Sequence, residues 1–314
     1  MLSFVIPAHN EEPIITRTIA EIKAAIAETE FASDYEIIVV DDHSSDKTFD
    51  AVQQLGDFRT RAFRLSKRSG SHVALRMGLG QALGDAVVCL SADGQDDPAA
   101  VPSMIAAWRA GANTVWALRR NRADEPWRTK LLAVMFYKLL GFMGAHEGQD
   151  IDLSRADFYL LDRRVVAAVN ACEERNTSLF GLIAWLGFVQ DSVEYDRRER
   201  TVGRSKWNFT SRLGLAKDWI ISFSGLPLKC ITVLGFCLSF LGLLYAILIV
   251  LNYFILAQPV QGWSSIVMLI LVLGGVQLVM LGVIGEYVWR NFSEAKKRPL
   301  YFLERSTDEA RGRD

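Results

Sequence analysis

Between Lys229 and Glu286 the chain runs for 56 residues without a single Asp, Glu, Lys, Arg or His. So long an uncharged run is poorly suited to a water-facing surface. Two spans fit inside it. Ile231 to Leu256 is 26 residues interrupted only by small residues and Asn252, and Trp263 to Ile284 is 22 residues with Gln277 as its one strongly polar side chain. At 1.5 Å per residue each reaches across the ~30 Å hydrocarbon core of a bilayer. The uncharged turn Ala257-Gln258-Pro259-Val260-Gln261-Gly262 joins them, whereas Lys229 stands before the first span and Arg290, Lys296, Lys297 and Arg298 follow the second. By the positive-inside rule both ends of this hairpin face the cytosol. The alternative is a buried core hairpin in a soluble protein, and two adjacent charge-free spans of this length argue against it. Gly274, Gly275 and Gly282 offer small-residue packing between the spans.

All 71 charged residues therefore fall on the other 258 positions, about 28%, an ordinary soluble density. This excludes a wholly soluble protein, and two spans beside a globular region of roughly 225 residues exclude a polytopic transporter. A net charge of −1 gives no sign of a nucleic-acid partner. The opening Met1-Leu2-Ser3-Phe4-Val5-Ile6-Pro7 lacks a basic region and a long apolar run, so the N-terminal domain is expected in the cytosol. Cys89, Cys172, Cys230 and Cys237 show no CxxC spacing, and the four histidines form no HExxH, so neither a zinc site nor a disulfide framework is indicated.

Ahead of the spans, strand-like runs alternate with helical patterns. Strands are expected at Ser3–Pro7, Tyr35–Val40, Arg61–Leu65, Asp85–Ser91 and Thr114–Leu118. Helices are expected at 13–28, 46–55, 72–83 and 98–110. The order is that of an α/β fold with a mostly parallel sheet. Trp127 to Met143 and Asn208 to Gly225 mix apolar faces with Lys and Arg and read as interfacial amphipathic helices, the first equally as a helix packed on the core. The expected organisation is a globular domain over 1–207, an interfacial helix over 208–228, the membrane hairpin over 229–290 and a charged cytosolic tail over 291–314.

In such sheets ligands sit at the carboxyl ends of the strands. Three polar loops occupy those ends: Pro7-Ala8-His9-Asn10-Glu11-Glu12, Asp41-Asp42-His43-Ser44-Ser45-Asp46 and Ser91-Ala92-Asp93-Gly94-Gln95-Asp96-Asp97-Pro98. Like charges repel, so acidic loops receive a phosphate only through a divalent cation, and oxygen donors suit Mg²⁺ or Mn²⁺. Helix capping accounts for Asp46 and for Asp96 or Asp97, with Pro98 in the first helical position, but not for Asp41, Asp42 or Asp93. A dinucleotide fold is rejected because the one GxG-like run, Gly78-Leu79-Gly80, precedes a strand instead of following one.

The ordered set PAHNEE, VVDDHSSDKT, SADGQDDP, DLSRADFYLLDRR and YDRRERTVGRSKW, followed by two spans ending GVIGEYVWRNFSEAKKRPLYF, resembles the family 2 glycosyltransferases that charge polyprenyl phosphate. Dolichyl-phosphate mannose synthase and the bacterial undecaprenyl-phosphate glycosyltransferases are of this kind. The resemblance implies a GT-A-like nucleotide-sugar domain in which Pro7, His9, Glu11, Asp41, Asp42 and Ala92 meet the nucleotide, with Arg119 toward the donor's diphosphate. It implies a metal site at Asp93 and Gln95, with Ser91 standing where the family has its first Asp. Asp157 matches the proposed catalytic carboxylate, and Tyr159 replaces a common Arg, a change expected to track the donor sugar. Arg197, Arg200, Ser205 and Lys206 match a phosphate-binding loop for the acceptor, for which contact with lipid headgroups is the alternative.

The activity so implied is inverting transfer of one sugar from a nucleotide sugar, UDP-linked in preference to GDP-linked, to undecaprenyl phosphate at the cytosolic face of a bacterial inner membrane. The resemblance also implies a homo-oligomer, a tetramer. Two alternatives remain at this level. A processive polysaccharide synthase lacks support because the Gln-x-x-Arg-Trp signature is absent and two spans are few for a polymer channel. A non-catalytic, membrane-anchored nucleotide-sugar-binding scaffold would make use of the Ser91 replacement.

Overall fold

In the computed structural model, residues 1–120, 156–175, 177–196, 198, 226–256 and 262–309 are described. The chain divides into two compact units, Met1–Leu213 with Pro299–Asp314, and Gly214–Arg298.

The first unit is one sheet with helices on its faces. In chain order the elements are β1 (Leu2–Ala8), α1 (Ile15–Ile26), β2 (Tyr35–Asp41), α2 (Thr48–Gln53), β3 (Thr60–Leu65), α3 (Ser71–Gln81), β4 (Ala86–Cys89), a 3₁₀ turn (Pro98–Ala100), α4 (Val101–Arg109), β5 (Thr114–Arg119), β6 (Ala156–Asp162), α5 (Arg163–Ala171), α6 (Leu179–Trp185) and β7 (Gln190–Tyr195). β8 (Leu303–Ser306) returns from the far end of the chain. The sheet order is β7-β5-β6-β4-β1-β2-β3-β8. The pairings β1–β2, β1–β4, β2–β3 and β5–β7 are parallel, whereas β6 lies antiparallel between β4 and β5 and β8 lies antiparallel along β3.

Burial on both faces explains why these strands are near-continuous apolar runs. From β1, Leu2, Phe4 and Ile6 enter the main core with Ile15, Ile19 and Ile22 of α1. Val5 belongs to the alternate set of side chains and meets α3, where Gly78 allows close approach. A Cβ on Gly78 would stand 2.3 Å from Val5 Cγ1 and 3.2 Å from Val40 Cγ2. The helix pattern is legible in α1, whose Ile15, Ile19, Ile22 and Ile26 are buried at helical spacing.

Helix ends are trimmed relative to the periodic pattern. α1 occupies 15–26 of the expected 13–28, α2 only 48–53 of 46–55, and the single helix expected over 98–110 begins as the 3₁₀ turn. Asp97 caps that turn through Ala99 N (3.0 Å) with Pro98 beside it, as expected. Asp46 Oδ1 accepts from Thr48 N (3.0 Å) at the start of α2, and Asp96 accepts from Ser91 N (2.7 Å).

The second unit holds α7 (Leu226–Leu256, 31 residues) and α8 (Trp263–Ala295, 33 residues). Both run past the charge-free spans. α8 continues through the Glu286–Arg290 pair (3.3 Å), and Lys296 just beyond its end lies over Phe292 at 4.1 Å. Among the described residues, Ser265–Ala295 is long and apolar enough to cross a membrane by length and composition, and Ile231–Tyr245 is a shorter apolar stretch. Phe236 and Leu278 are more than two thirds exposed, which suits an apolar surrounding. Among the described residues, a Cβ built on Gly274, Gly275 or Gly282 meets nothing within 4 Å, whereas one built on Gly235 would lie 3.3 Å from Met280 Cε.

Candidate active site

Two loops at the carboxyl edge are stitched together. The β1–α1 loop turns at Asn10, whose φ of 56° is in the left-handed region, and His43 in the β2–α2 loop has φ 55°. Such backbone is held only where neighbours over-determine it. Asn10 Oδ1 accepts from Ser45 N (2.8 Å), Asn10 N donates to Ser44 Oγ (2.9 Å), and Glu11 N donates to Thr48 Oγ1 (3.0 Å). Glu12 N donates to Asp46 Oδ2 (3.1 Å), while Lys47 N donates to Glu12 Oε2 (3.0 Å). His9 Nδ1 lies 2.9 Å from the Asp42 carbonyl, and since a carbonyl only accepts, that nitrogen carries the proton. Pro7 and Ala8 close β1 in register with Val40 and Asp41.

The carboxylates of Asp41 and Asp42 face into the protein. Asp41 is fully buried; its Oδ1 receives Ser44 N (2.9 Å) and the Ser44 hydroxyl, and its Oδ2 receives Arg64 Nη1 (2.8 Å). Asp42 is 4% exposed and takes Ser69 N (2.6 Å) and Gly70 N (2.8 Å), the entry to α3. Both carboxylates therefore help to shape the loops in which the nucleotide contacts are expected.

The third loop follows β4. Ser91 Oγ is 2.7 Å from Asp93 Oδ1 and 2.6 Å from Asp96 Oδ2, and Gln95 N donates to Asp93 Oδ1 (3.2 Å). Ala92 is buried and its carbonyl accepts from Thr18 Oγ1 of α1 (3.1 Å). Ser91 Oγ thus lies between two carboxylate oxygens, which also accept from Gln95 N and Ser91 N, so the loop gathers several oxygen atoms in one place. The donors are hard oxygens that fit Mg²⁺ or Mn²⁺. Among the described residues no group of three or more His, Cys, Asp or Glu side chains is placed to share an ion.

The ladder of β4 with β6 ends at the pair Cys89 and Tyr159; Ser91 follows two residues after Cys89, and Asp157 stands two residues before Tyr159. The Asp157 side chain lies outside the described residues. Tyr159 is 1% exposed and packs against Trp116 (5.4 Å) and Phe180 (5.1 Å). Burial pushes its hydroxyl well above the usual range, and likewise pushes the neighbouring Cys89 thiol up to about 12. Tyr159 is a core residue.

Arg119 ends β5, partly buried and in register with Tyr195 of β7. Arg197, Arg200, Ser205 and Lys206, with the two interfacial stretches 127–143 and 208–225, lie outside the described residues. Arg198, within the same basic segment, is described. Its N–H donates to the Gln95 carbonyl (3.2 Å), and its guanidinium pairs with Asp97 (2.7 Å) and with Glu21 of α1 (2.7 Å). Sequence reasoning passed over Arg198 because charge alone does not separate it from Arg197 and Arg200. Arg64 was missed for a similar reason, since its alternation in β3 reads as an ordinary exposed position.

A mixed, mostly parallel α/β sheet with polar loops at its carboxyl edge is the architecture of a GT-A-like domain. The glycosyl transferase family 2 profile matches residues 3–165, and the chain belongs to that family. A glycosyltransferase of Synechocystis sp., described as uncharacterized, is 41% identical over 307 residues, covering 96% of this chain and 94% of its own. The SfII prophage-derived bactoprenol glucosyl transferase of Shigella flexneri is 34% identical over 310 residues, covering 97% of this chain and 98% of its own. Among solved structures, mannosyl-3-phosphoglycerate synthase from Rubrobacter xylanophilus matches with a TM-score of 0.48 and 18% identity, over 70% of this chain and 71% of that one. The protein is a glycosyltransferase.

Proposed function

We propose that this glycosyltransferase moves one sugar from a nucleotide sugar to a polyprenyl phosphate at the cytosolic face of a bacterial membrane. The observation that carries the reading is the match to a bactoprenol glucosyl transferase over 97% of the chain and 98% of that relative, which takes in the globular unit and the apolar helices together. Charge-free spans of this length beside the globular unit suit an acceptor whose tail is buried in lipid.

In this reading the stitched loops around Pro7, His9, Glu11, Asp41, Asp42 and Ala92 receive the nucleoside, with Asp41 and Asp42 acting through the loop shapes they hold. Asp93, with Gln95 and Ser91 beside it, would hold Mg²⁺ or Mn²⁺, which supplies neutralisation of the departing diphosphate. Arg119 adds positive charge on the same edge. The acceptor phosphate has a second pKa near ~6 and is mostly dianionic at neutral pH, so it needs little help from a base. Asp157 accordingly orients the acceptor or stabilises positive charge at the anomeric carbon, while Arg197, Arg200, Ser205 and Lys206 grip phosphate. A single displacement inverts the anomeric centre. The test is turnover of a panel of nucleotide sugars by purified protein with a short polyprenyl phosphate, with and without Mg²⁺ or Mn²⁺. Binding of nucleotide sugar without transfer under every condition would leave a scaffold in place of an enzyme of this kind.

The domain plan belongs to the same reading: a cytosolic domain over 1–207, an interfacial helix over 208–228, two spans within 229–290 and a cytosolic tail. It is supported by the apolar length of α8 and by the basic residues flanking the spans. Tags placed in 257–262 should then react only from the non-cytosolic side, and tags at either terminus only from the cytosol. Labelling of the two termini from opposite sides would establish an odd number of crossings and overturn the hairpin.

A further inference from the structure

The last strand of the sheet reaches the nucleotide edge through one side chain. β8 runs antiparallel along β3 with Leu303 against Leu65 and Arg305 against Arg64, so Glu304 is the extra residue of a bulge. Bulges bend a strand and re-aim a side chain, and they recur beside active sites. Here the bulge sends the Glu304 carboxylate to Arg64 Nε at 3.1 Å. The rest of that guanidinium is committed to the β2–α2 loop, Nη1 to Asp41 Oδ2 (2.8 Å) and Nη2 to the Ser44 carbonyl (2.8 Å). Between them His43, in its left-handed conformation, places Nδ1 3.2 Å from the Leu65 carbonyl and 3.4 Å from Glu304 Oε2.

A guanidinium is planar, so fixing its Nε edge fixes the direction of the other two nitrogens. Without Glu304, Arg64 keeps the attraction of Asp41 but gains rotation about its last bonds, and Ser44, which also supports Asn10 of the first loop, loses a defined partner. We propose that Glu304 is a positioning residue for the nucleotide donor: through Arg64 it sets the Asp41–Ser44 loop, so that the strand following the apolar helices is a working part of the donor site. Arg64 holds the Glu304 carboxyl below the usual carboxylate range, so the pair remains charged at neutral pH.

The inference rests on the nucleotide-sugar reading above. It is tested by titrating UDP, and GDP in parallel, onto the purified full-length protein in detergent, and by measuring donor KM, acceptor KM and kcat. The variants are Glu304→Gln, Glu304→Asp and Arg305→Gln. Arg305 sits on the same strand but pairs with Asp50 (3.2 Å) of α2, so its loss loosens β8 without touching Arg64. Glu304→Gln is expected to weaken nucleoside diphosphate binding and raise donor KM by at least about fivefold, as for neighbours in one network. Acceptor KM and kcat should stay within about twofold. Glu304→Asp should recover part of the loss, and Arg305→Gln should bind as wild type. Unchanged binding by Glu304→Gln, or an equal loss in Arg305→Gln, overturns the positioning role while leaving the donor reading intact. Failure of the wild-type protein to bind either nucleoside diphosphate overturns the donor reading, and this role with it.

Discussion

Replacing Asp93 by Asn is expected to lower sugar transfer by at least about a hundredfold, the scale of losing a main electrostatic stabiliser of the departing group. The substitution is nearly isosteric. Asn keeps an oxygen that can accept from the Ser91 hydroxyl (2.7 Å) and from Gln95 N (3.2 Å), so the loop should hold its shape and only the charge is lost. The defect should therefore appear as a higher Mg²⁺ or Mn²⁺ concentration for half-maximal rate and as weaker Mn²⁺ binding, with an unchanged thermal midpoint. Ser91→Asp supplies the converse. It places a third carboxylate beside Asp93 and Asp96, which repel without a cation and bind one more tightly with it, so the half-maximal metal concentration should fall. Rates for Asp93→Asn within a few-fold of wild type would remove the ion from this loop.

The largest effect on stability is expected at the opposite edge of the sheet. Arg61 of β3 is 12% exposed and makes a bidentate pair with Asp308 (2.9 and 2.7 Å to Oδ2, 3.2 Å to Oδ1), while its Nη1 reaches Glu36 Oε2 and the Gln81 carbonyl, each at 3.1 Å. Glu36 is itself 6% exposed and takes Ser3 Oγ (2.7 Å) and Leu83 N (2.6 Å) on its other oxygen. Arg61→Met fills the space but leaves two carboxylates without their cation. Stranding one side of a buried ion pair costs about 3–5 kcal/mol. For a unit of this size that lowers the thermal midpoint in detergent by roughly 6–20 °C. Arg109→Ala, which breaks a half-exposed surface pair with Glu30, should move it hardly at all. Equal shifts in the two variants would show that the Arg61 network is solvated and contributes little.

The two predictions bear on different kinds of legibility. Asp93 could be singled out from the sequence because a carboxylate that caps no helix, in an acidic loop after a strand, has a restricted set of uses. The order of β1 to β5 was readable for a similar reason: apolar runs and helical spacing are local patterns, and Ile15, Ile19, Ile22 and Ile26 declare α1 without reference to anything else. The helix ends were less readable, since the last turns depend on what the neighbouring loops bond to, as at Asp46 and Glu12.

Arg61, Arg64 and Arg198 carry no mark that separates them from other surface arginines, because each acquires its role from a partner remote in the chain. Asp308 lies 247 residues from Arg61, Glu304 lies 240 from Arg64, and Asp97 lies 101 from Arg198. The inward turn of Asp41 and Asp42 and the burial of Tyr159 belong with these, since the groups they meet come from neighbouring strands and loops.

Chemical identity along the chain settles the class of fold, the membrane-length apolar spans and the acidic loops, because periodicity and the cost of burying charge act over a few residues at a time. Which loops meet is decided by strand pairing across the sheet. The antiparallel insertion of β6 sets Tyr159 against Cys89, and the return of β8 brings Glu304 to Arg64. Those pairings depend on hydrogen-bond registers between segments far apart in sequence, and no local pattern of side chains encodes the partner.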